Sequence, residues 1–189
     1  MTALILASQS PRRRDLLQAL GITFEVQASD AEELDGADLD PQELVLHNAQ
    51  LKASDVANRF SNQWVLGSDT AVALEGKVYG KPETMAAAET MLQSLQGKEH
   101  AVYTGVCLVH QATSRQELWC EGTKVGFRPL SLTQIRDYLS RINPLDKAGA
   151  YGIQEGGERI VSRVEGSLSN VVGLPLESLE LVLERIGIR

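Results

Sequence analysis

The clearest candidate for ligand-binding chemistry lies near the N-terminus, in the segment SQSPRRR from Ser8 to Arg14. It follows the apolar run ALILA and contains Pro11, a residue favoured in the first turn of a helix. A loop that enters a helix offers free backbone N–H groups and the positive end of the helix dipole, and arginine suits phosphate oxygens. Three cations at a helix N-terminus oppose the dipole, so a purely structural role would be unfavourable. We therefore predict anion binding here, with a solvated basic turn as the alternative. The segment is not a P-loop, since the glycines and the Gly-Lys-Ser/Thr sequence are missing.

A second candidate is Asp69, in the sequence Gly67-Ser68-Asp69-Thr70 within the apolar stretch WVLGSDTAVAL. A charged side chain in an apolar strand is costly to bury unless it is paired or bound to a metal ion. Asp69 is therefore a candidate functional residue. The alternative is an aspartate at a β-bulge, hydrogen-bonded to local backbone.

Three further charged positions become candidates only together with these segments. Lys81 stands in a Gly-Lys-Pro turn, Lys52 lies in a long helical pattern, and Glu33 follows Glu32 in an acidic loop. Paired carboxylates can hold a divalent cation through oxygen ligands. Taken alone, Lys81 and the two glutamates are better explained as solvated surface charges.

The segment DKAGAYGIQ, residues 146–154, combines glycines with polar side chains. Glycine permits tight turns and the close approach of backbone to a ligand, and Gln154 offers both a donor and an acceptor to a nucleobase edge. The histidines at 47, 100 and 110 lack metal-ligand spacing, and we predict no catalytic role for them. Acyl-transfer chemistry is disfavoured because no Gly-x-Ser-x-Gly elbow or Cys–His arrangement is visible.

These residues require a framework of alternating strands and helices. Apolar runs, two-residue alternation and turn residues predict strands at 3–7, 22–26, 64–74, 77–80, 100–110, 117–130 and 158–166. Apolar spacing and N-terminal signals predict helices at 11–20, 41–60, 84–95, 131–142 and 174–188. The mixture, with hairpins at Glu75-Gly76 and at ATSRQ, predicts an α/β fold with a mixed sheet.

The composition is that of an ordinary globular protein, with 189 residues, 43% hydrophobic residues and a formal net charge of -7. Such a charge disfavours a general nucleic-acid binder, although a local basic cluster can still bind a small phosphorylated ligand. The two cysteines, Cys107 and Cys120, are expected to be reduced residues of the core. The sequence shows neither a signal peptide nor an apolar stretch long enough for a membrane span, so we expect a cytoplasmic protein without a membrane partner.

Taken together, four segments resemble the Maf family of nucleotide pyrophosphatases. They are the SQSPRR opening, the GSDT strand, the GKP turn and DKAGAYGIQ, all in the family's order, and the match continues to GSLSNVVGLP near the end. The resemblance implies a single domain over residues 1–189, with a mixed, twisted sheet flanked by helices and two lobes around a cleft. It also implies a relationship to inosine triphosphate pyrophosphatases and a homodimer. Leu168, where the family often carries an aromatic residue, departs from the pattern outside the proposed chemical motifs.

The resemblance also implies roles for individual residues. Asp69 corresponds to the catalytic carboxylate, usually described as the proton acceptor. Glu33 and Asp69 are expected to hold a divalent cation, Mg²⁺ or Mn²⁺. The phosphates of a nucleoside triphosphate are expected to bind to Ser8, Arg13, Lys52 and Lys81.

Three positions that distinguish subgroups of the family are Arg12, Thr70 and Gln154. Together with DKAGAYGIQ they look like the dTTP/UTP subgroup, whose substrates are cleaved to the monophosphate and diphosphate. The sister subgroup acting on 7-methyl-GTP has a different segment here and is disfavoured. The alternatives are a non-catalytic nucleotide-binding regulator of cell division and a purine pyrophosphatase of the inosine triphosphate type, which a substrate panel separates.

Overall fold

The computed structural model describes residues 4–34, 36 and 39–188, and in these residues seven strands form one sheet. The strands are β1 (Leu4–Leu6), β2 (Phe24–Val26), β3 (Trp64–Leu74), β4 (Lys77–Tyr79), β5 (Glu99–His110), β6 (Arg115–Phe127) and β7 (Val161–Glu165). Their order is β2-β1-β3-β5-β6-β7, and β4 pairs with β3. Strand β1 runs parallel to β2 and β3, and the other pairs are antiparallel, so the predicted mixed sheet is confirmed.

Helices flank this sheet. They are α1 (Pro11–Ala19), α2 (Pro41–Arg59), α3 (Met85–Leu95), α4 (Leu132–Leu139), α5 (Leu168–Val172) and α6 (Leu176–Ile186). Side chains of Ser10, Asp40 and Ser131 accept backbone N–H groups at the starts of α1, α2 and α4, as expected for N-cap residues. No helix in the described part of the chain is long and apolar enough to cross a membrane.

Helix α2 lies directly against β3 and β5 because two glycines remove the side chains between them. A Cβ atom on Gly67 would lie 2.3 Å from the carbonyl oxygen of Ala49, and one on Gly105 would lie 2.2 Å from that of Val45. Only glycine permits such an approach of backbone to backbone. Side chains of α2 consequently reach Asp69 in β3.

Strand β3 changes its partner midway. On one side it pairs with β1 over Trp64–Leu66 and with β4 over Val72–Leu74, while β5 covers its other side from Val65 to Ala73. No described strand pairs with residues 68–71 on the first side. Successive residues of a strand point to opposite faces, so this gap makes side chains from both faces accessible from one opening. Ligand sites in open α/β sheets form at comparable changes of strand partner.

The predicted elements are confirmed, with shifts at their ends. Strand β6 begins at Arg115, so the turn is shorter than the predicted ATSRQ, and it ends at Phe127. Helix α4 ends at Leu139, three residues early, and β7 begins only at Val161 because Gly157–Arg159 form a 3₁₀ turn. Helix α5 was not predicted, since its five residues are too few to display a helical period.

Two predictions fall partly outside the described residues, namely the first position of the strand at 3–7 and positions 35, 37 and 38 of the acidic loop. Both cysteines are free. Cys107 is buried as predicted, and burial raises the pKa of its thiol to about 12. Cys120 is only partly buried, so the prediction that it belongs to the core is wrong.

Candidate active site

A cleft with a volume of about 440 Å³ opens at the gap in the edge of β3. Its walls come from the loop between β1 and α1, the acidic loop, the middle of β3, and the segments 146–155 and 171–173. All nine residues selected from the sequence line it: Ser8, Arg12, Arg13, Glu33, Lys52, Asp69, Thr70, Lys81 and Gln154. Residues separated by up to 146 positions in the sequence therefore share one site.

The centre of the site is the carboxylate of Asp69, whose side chain is only 14% exposed. Its Oδ1 lies 2.8 Å from Lys52 Nζ and its Oδ2 accepts a hydrogen bond of 3.2 Å from Asn48 Nδ2. Asp69 pairs with Gly105 in an unbroken ladder between β3 and β5. The alternative of an aspartate at a β-bulge is therefore wrong, and the side chain is held by helix α2.

Lys52 joins two carboxylates. Its buried ammonium lies 2.8 Å from Asp69 Oδ1 and 2.8 Å from Glu33 Oε2, and it also donates to the carbonyl oxygen of Ser68 at 3.3 Å. A buried lysine is tolerated when opposite charges compensate the loss of hydration. Glu33 differs from Asp69 in being 47% exposed, so its carboxylate faces the solvent side of the cleft.

The loop between β1 and α1 leads to Arg13, which lies in the first turn of α1 and lines the same cleft. The buried Ser8 accepts the N–H of Ser10 at 3.2 Å, and this N–H is therefore already used, unlike the free N–H groups that we predicted after Ser8. Arg13 donates from Nε to the carbonyl oxygen of Gly173 at 2.9 Å and from a terminal nitrogen to Thr70 Oγ1 at 3.0 Å. Burial lowers the pKa of Arg13, while Asp69 and Glu33 raise it, and a guanidinium remains charged at neutral pH.

A second charged cluster forms the opposite rim of the cleft. Arg12 and the buried Lys147 contact the same two carboxylates, those of Asp146 and Glu155. Burial acts to raise the pKa of Asp146, but Lys147 and Arg12 lower it by more, so the net pKa lies below its usual range. Arg12 thus tethers the start of α1 to the segment 146–155.

The lining contains five cations and four carboxylates, so its net charge is +1, and three of the cations share all four carboxylates. Arg12, Lys52 and Lys147 make ion pairs with the carboxylates. Within the described residues, Arg13 and Lys81 have no carboxylate partner. A polyanion entering this cleft therefore meets uncompensated positive charge, although the protein as a whole carries a net charge of -7.

The positions expected to set specificity lie in different surroundings. Thr70 and Asp69 are successive residues of β3, so they point to opposite faces, and the Thr70 hydroxyl also lies 3.0 Å from Thr104 Oγ1. Thr70 thereby fixes the Arg13 guanidinium. Gln154 is exposed at the mouth of the cleft, next to Glu155.

Sequence reasoning missed residues whose importance depends on their partners. Asn48 interrupts the apolar side of α2, and this interruption was the available signal. Ser68, although part of the selected Gly-Ser-Asp-Thr segment, was assigned no role, and its hydroxyl donates to the carbonyl oxygen of Gly173 at 3.2 Å. Nothing in the sequence connects Gly173 with Arg13, because 160 positions separate them.

None of the three histidines is among the residues that line the cleft. His100 is buried and its Nε2 lies 2.8 Å from the hydroxyl of Tyr151, a cleft residue. Burial lowers the pKa of His100 to about 4. The imidazole is therefore neutral at physiological pH and supports the wall of the cleft.

The fold and the cleft define a class of protein: an α/β protein with a highly charged cleft built around a carboxylate that a buried lysine holds. Within this class the chain belongs to the family of Maf-like proteins, whose model matches residues 3–186. It is 41% identical over 187 residues to a dTTP/UTP pyrophosphatase of Pelotomaculum thermopropionicum, covering 99% of this chain and 98% of that protein. It is 45% identical over 188 residues to one of Moorella thermoacetica, covering 100% and 97%.

The fold is also similar to that of a HAM1 protein from Coxiella burnetii. The TM-score is 0.59 and the match covers 98% of this chain and 100% of that one. The sequence identity is 17%, so the likeness concerns the fold alone.

Proposed function

We propose that this protein hydrolyses the pyrimidine nucleoside triphosphates dTTP and UTP to the nucleoside monophosphate and diphosphate. The observation that carries the proposal is the Asp69–Lys52–Glu33 centre inside a cleft that retains two unpaired cations. The similarity to proteins named dTTP/UTP pyrophosphatases, over nearly their whole length, supports the same reaction.

The triphosphate binds through its charge. Arg13 and Lys81 line the cleft without an ion pair to a described carboxylate, and Ser8 lines it too and can offer a hydroxyl donor. Lys52 adds a third cation beside the reacting phosphate. These groups stabilise the charge that develops on the departing diphosphate more than the charge of the bound substrate, which is the condition for catalysis.

Asp69 acts as the proton acceptor. A water molecule forms a new bond from its oxygen to the α-phosphorus, the bond between the α-phosphorus and the bridging oxygen breaks, and the proton of the water passes to Asp69. The hydrogen bonds from Lys52 and Asn48 hold the carboxylate in one orientation. Asp69 therefore presents the same lone pair to the attacking water in every catalytic cycle. Catalysis then consists of positioning and electrostatic stabilisation.

A divalent cation fits the same centre. The carboxylates of Glu33 and Asp69 both contact the Lys52 ammonium, so they lie close together. Their hard oxygen ligands suit Mg²⁺ or Mn²⁺. No group of three or more His, Cys, Asp or Glu side chains in the described residues is arranged to hold a metal alone. Glu33 and Asp69 are therefore the residues that would hold the ion, which would supply Lewis-acid polarisation of a phosphoryl oxygen.

Base selection is assigned to Gln154 and Thr70, with Arg12 holding the rim. Gln154 is exposed at the cleft mouth and can offer a donor and an acceptor to the edge of uracil or thymine. Thr70 acts through Arg13, to which its hydroxyl is bound. A wrong base that covers Gln154 leaves polar groups unpaired, and this lowers its affinity.

We further propose that residues 1–189 work as one domain, since the cleft is built from the start, middle and end of the chain. A cytoplasmic location, no nucleic-acid or membrane partner, and a homodimer belong to the same proposal. Size-exclusion chromatography with light scattering tests the dimer.

A panel of common and modified nucleoside triphosphates, assayed with Mg²⁺ and with Mn²⁺, tests the reaction. We expect dTTP and UTP to be the best substrates, and the products to be monophosphate and diphosphate. Preferred cleavage of purine triphosphates would contradict the base assignment. Absence of diphosphate release from every compound would contradict the enzymatic function and favour a nucleotide-binding regulator.

A further inference from the structure

One side of helix α2 holds the acidic loop that carries Glu33. Four side chains at a spacing of three or four residues point to this loop, as expected for one helix face. Their contacts are Asn48 with Leu34, Lys52 with Glu33, Asp55 with Ser29 and Asp30, and Arg59 with Ala28. The loop is thus attached to α2 from residue 28 to residue 34.

Asn48 differs from the other three because it also touches Asp69. Its side chain is buried, with 3% exposure. Oδ1 accepts the N–H of Leu34 at 2.9 Å, while Nδ2 donates to Asp69 Oδ2 at 3.2 Å and to the carbonyl oxygen of Leu34 at 3.4 Å. Both amide hydrogens and the amide oxygen are therefore used.

These bonds allow only one orientation of the amide. Rotating it by half a turn would point Oδ1 at the Asp69 carboxylate and Nδ2 at the N–H of Leu34, which places two acceptors and two donors against each other. Leu34 thus fixes Asn48, and Asn48 in turn fixes the Asp69 carboxylate. The same bonds hold the backbone next to Glu33, whose carboxylate contacts Lys52.

We propose that Asn48 is a positioning residue, which sets the separation and orientation of the Asp69 and Glu33 carboxylates around Lys52. This inference rests on the proposed pyrophosphatase function. Asp69 Oδ1 and Oδ2 receive their hydrogen bonds from successive turns of one helix, Lys52 and Asn48, so the carboxylate cannot rotate without losing both. Misplacing a catalytic group by about 1 Å can reduce a rate by about 100-fold.

Two substitutions separate this role from simple attachment of the loop. Asn48→Asp keeps the shape and the acceptor for the Leu34 N–H, but loses the donor to Asp69 and adds a like charge there. Asn48→Ala loses all the contacts without adding charge. If Asn48 only holds the loop, the aspartate variant is the milder one. If it orients Asp69, the aspartate variant is at least as damaging.

The measurement is kcat and KM for diphosphate release from dTTP, with the thermal midpoint of each variant. We expect kcat to fall about 10- to 100-fold in both variants, with Asn48→Asp no more active than Asn48→Ala, and KM to stay within about threefold. Asn58→Ala is the matched control, because Asn58 is an exposed asparagine on the same helix. Its kcat should equal that of the wild type.

A kcat for Asn48→Asp that equals the wild-type value, or lies nearer to it than that of Asn48→Ala, overturns the inference. If Asn48→Ala does not fold, the comparison of Asn48→Asp with wild type decides, because that variant keeps the shape of the side chain. Wild-type protein that releases no diphosphate would instead overturn the proposed function, so the two failures are distinguishable.

Discussion

Replacing Gly67 with alanine should slow the reaction although Gly67 does not line the cleft. The added Cβ would lie 2.3 Å from the carbonyl oxygen of Ala49 and 2.7 Å from the backbone nitrogen of Ala53, both in α2. Ordinary contact begins at 3.4 Å, so the helix must move away from the sheet by about 1.1 Å. Lys52 lies between these two alanines and moves with them.

The expected size of the effect follows from the ion pair. Lys52 Nζ lies 2.8 Å from Asp69 Oδ1, and a displacement of about 1 Å takes this distance beyond that of a good hydrogen bond. We expect kcat to fall about 10- to 100-fold, since errors of about 1 Å have effects of that order. Overpacking should also destabilise the fold by about 1–3 kcal/mol, which lowers the thermal midpoint by about 3–10 °C.

The assay measures steady-state kinetics of diphosphate release at a temperature below the unfolding range. Thermal unfolding of the same samples is measured separately. Gly80→Ala is the control for stability, because a Cβ at Gly80 meets nothing within 4 Å. A Gly67→Ala enzyme that unfolds and turns over like the wild type would refute the reasoning. A lower midpoint with unchanged kcat would refute the link between helix position and chemistry.

Three further predictions concern single groups. Asp69→Asn should lower kcat by at least about 100-fold with little change in KM, as measured by diphosphate release, and near-normal turnover would remove Asp69 from the mechanism. Arg13→Lys keeps the charge but cannot donate to both Gly173 and Thr70, so kcat/KM for dTTP should fall about tenfold, and an unchanged value would mean that charge alone matters. His100 has a folded-state pKa of about 4 against an ordinary value of 6.5, so the unfolded chain binds its proton first as the pH falls. Stability should therefore be constant above about pH 7 and decrease by about 2 kcal/mol by about pH 5, as measured by urea unfolding, and His100→Gln should lose this dependence.

Local patterns predicted most of the secondary structure because their causes are local. The long helix at 41–60 shows its apolar period and its Pro41 start, and it appears as α2 with the ends shifted by at most one residue. The hairpin at Glu75-Gly76 follows from its turn residues. Helix α5 and the 3₁₀ turn at Gly157–Arg159 were not predicted, since so few residues carry no periodicity.

The candidate residues were likewise selected from their types and order. The chemical reasons are visible in the sequence for Asp69, a charge in an apolar strand, and for Arg13, a cation at the start of a helix. For Lys81 and Glu33 the sequence alone favours solvent, and the resemblance to a family assigned roles to them and to Lys52. The cleft places all five together.

What the sequence determined by itself is the set of elements and the charges that each carries, since periodicity, turn residues and caps act over a few positions. Only the tertiary structure decided which charges neutralise one another. Lys52 is paired and Arg13 is not because Gly67 and Gly105 let α2 approach the sheet on one face, whereas Arg13 meets carbonyl and hydroxyl oxygens on the other. Such pairings depend on distances of a few ångströms between residues far apart in the chain, and no local pattern encodes them.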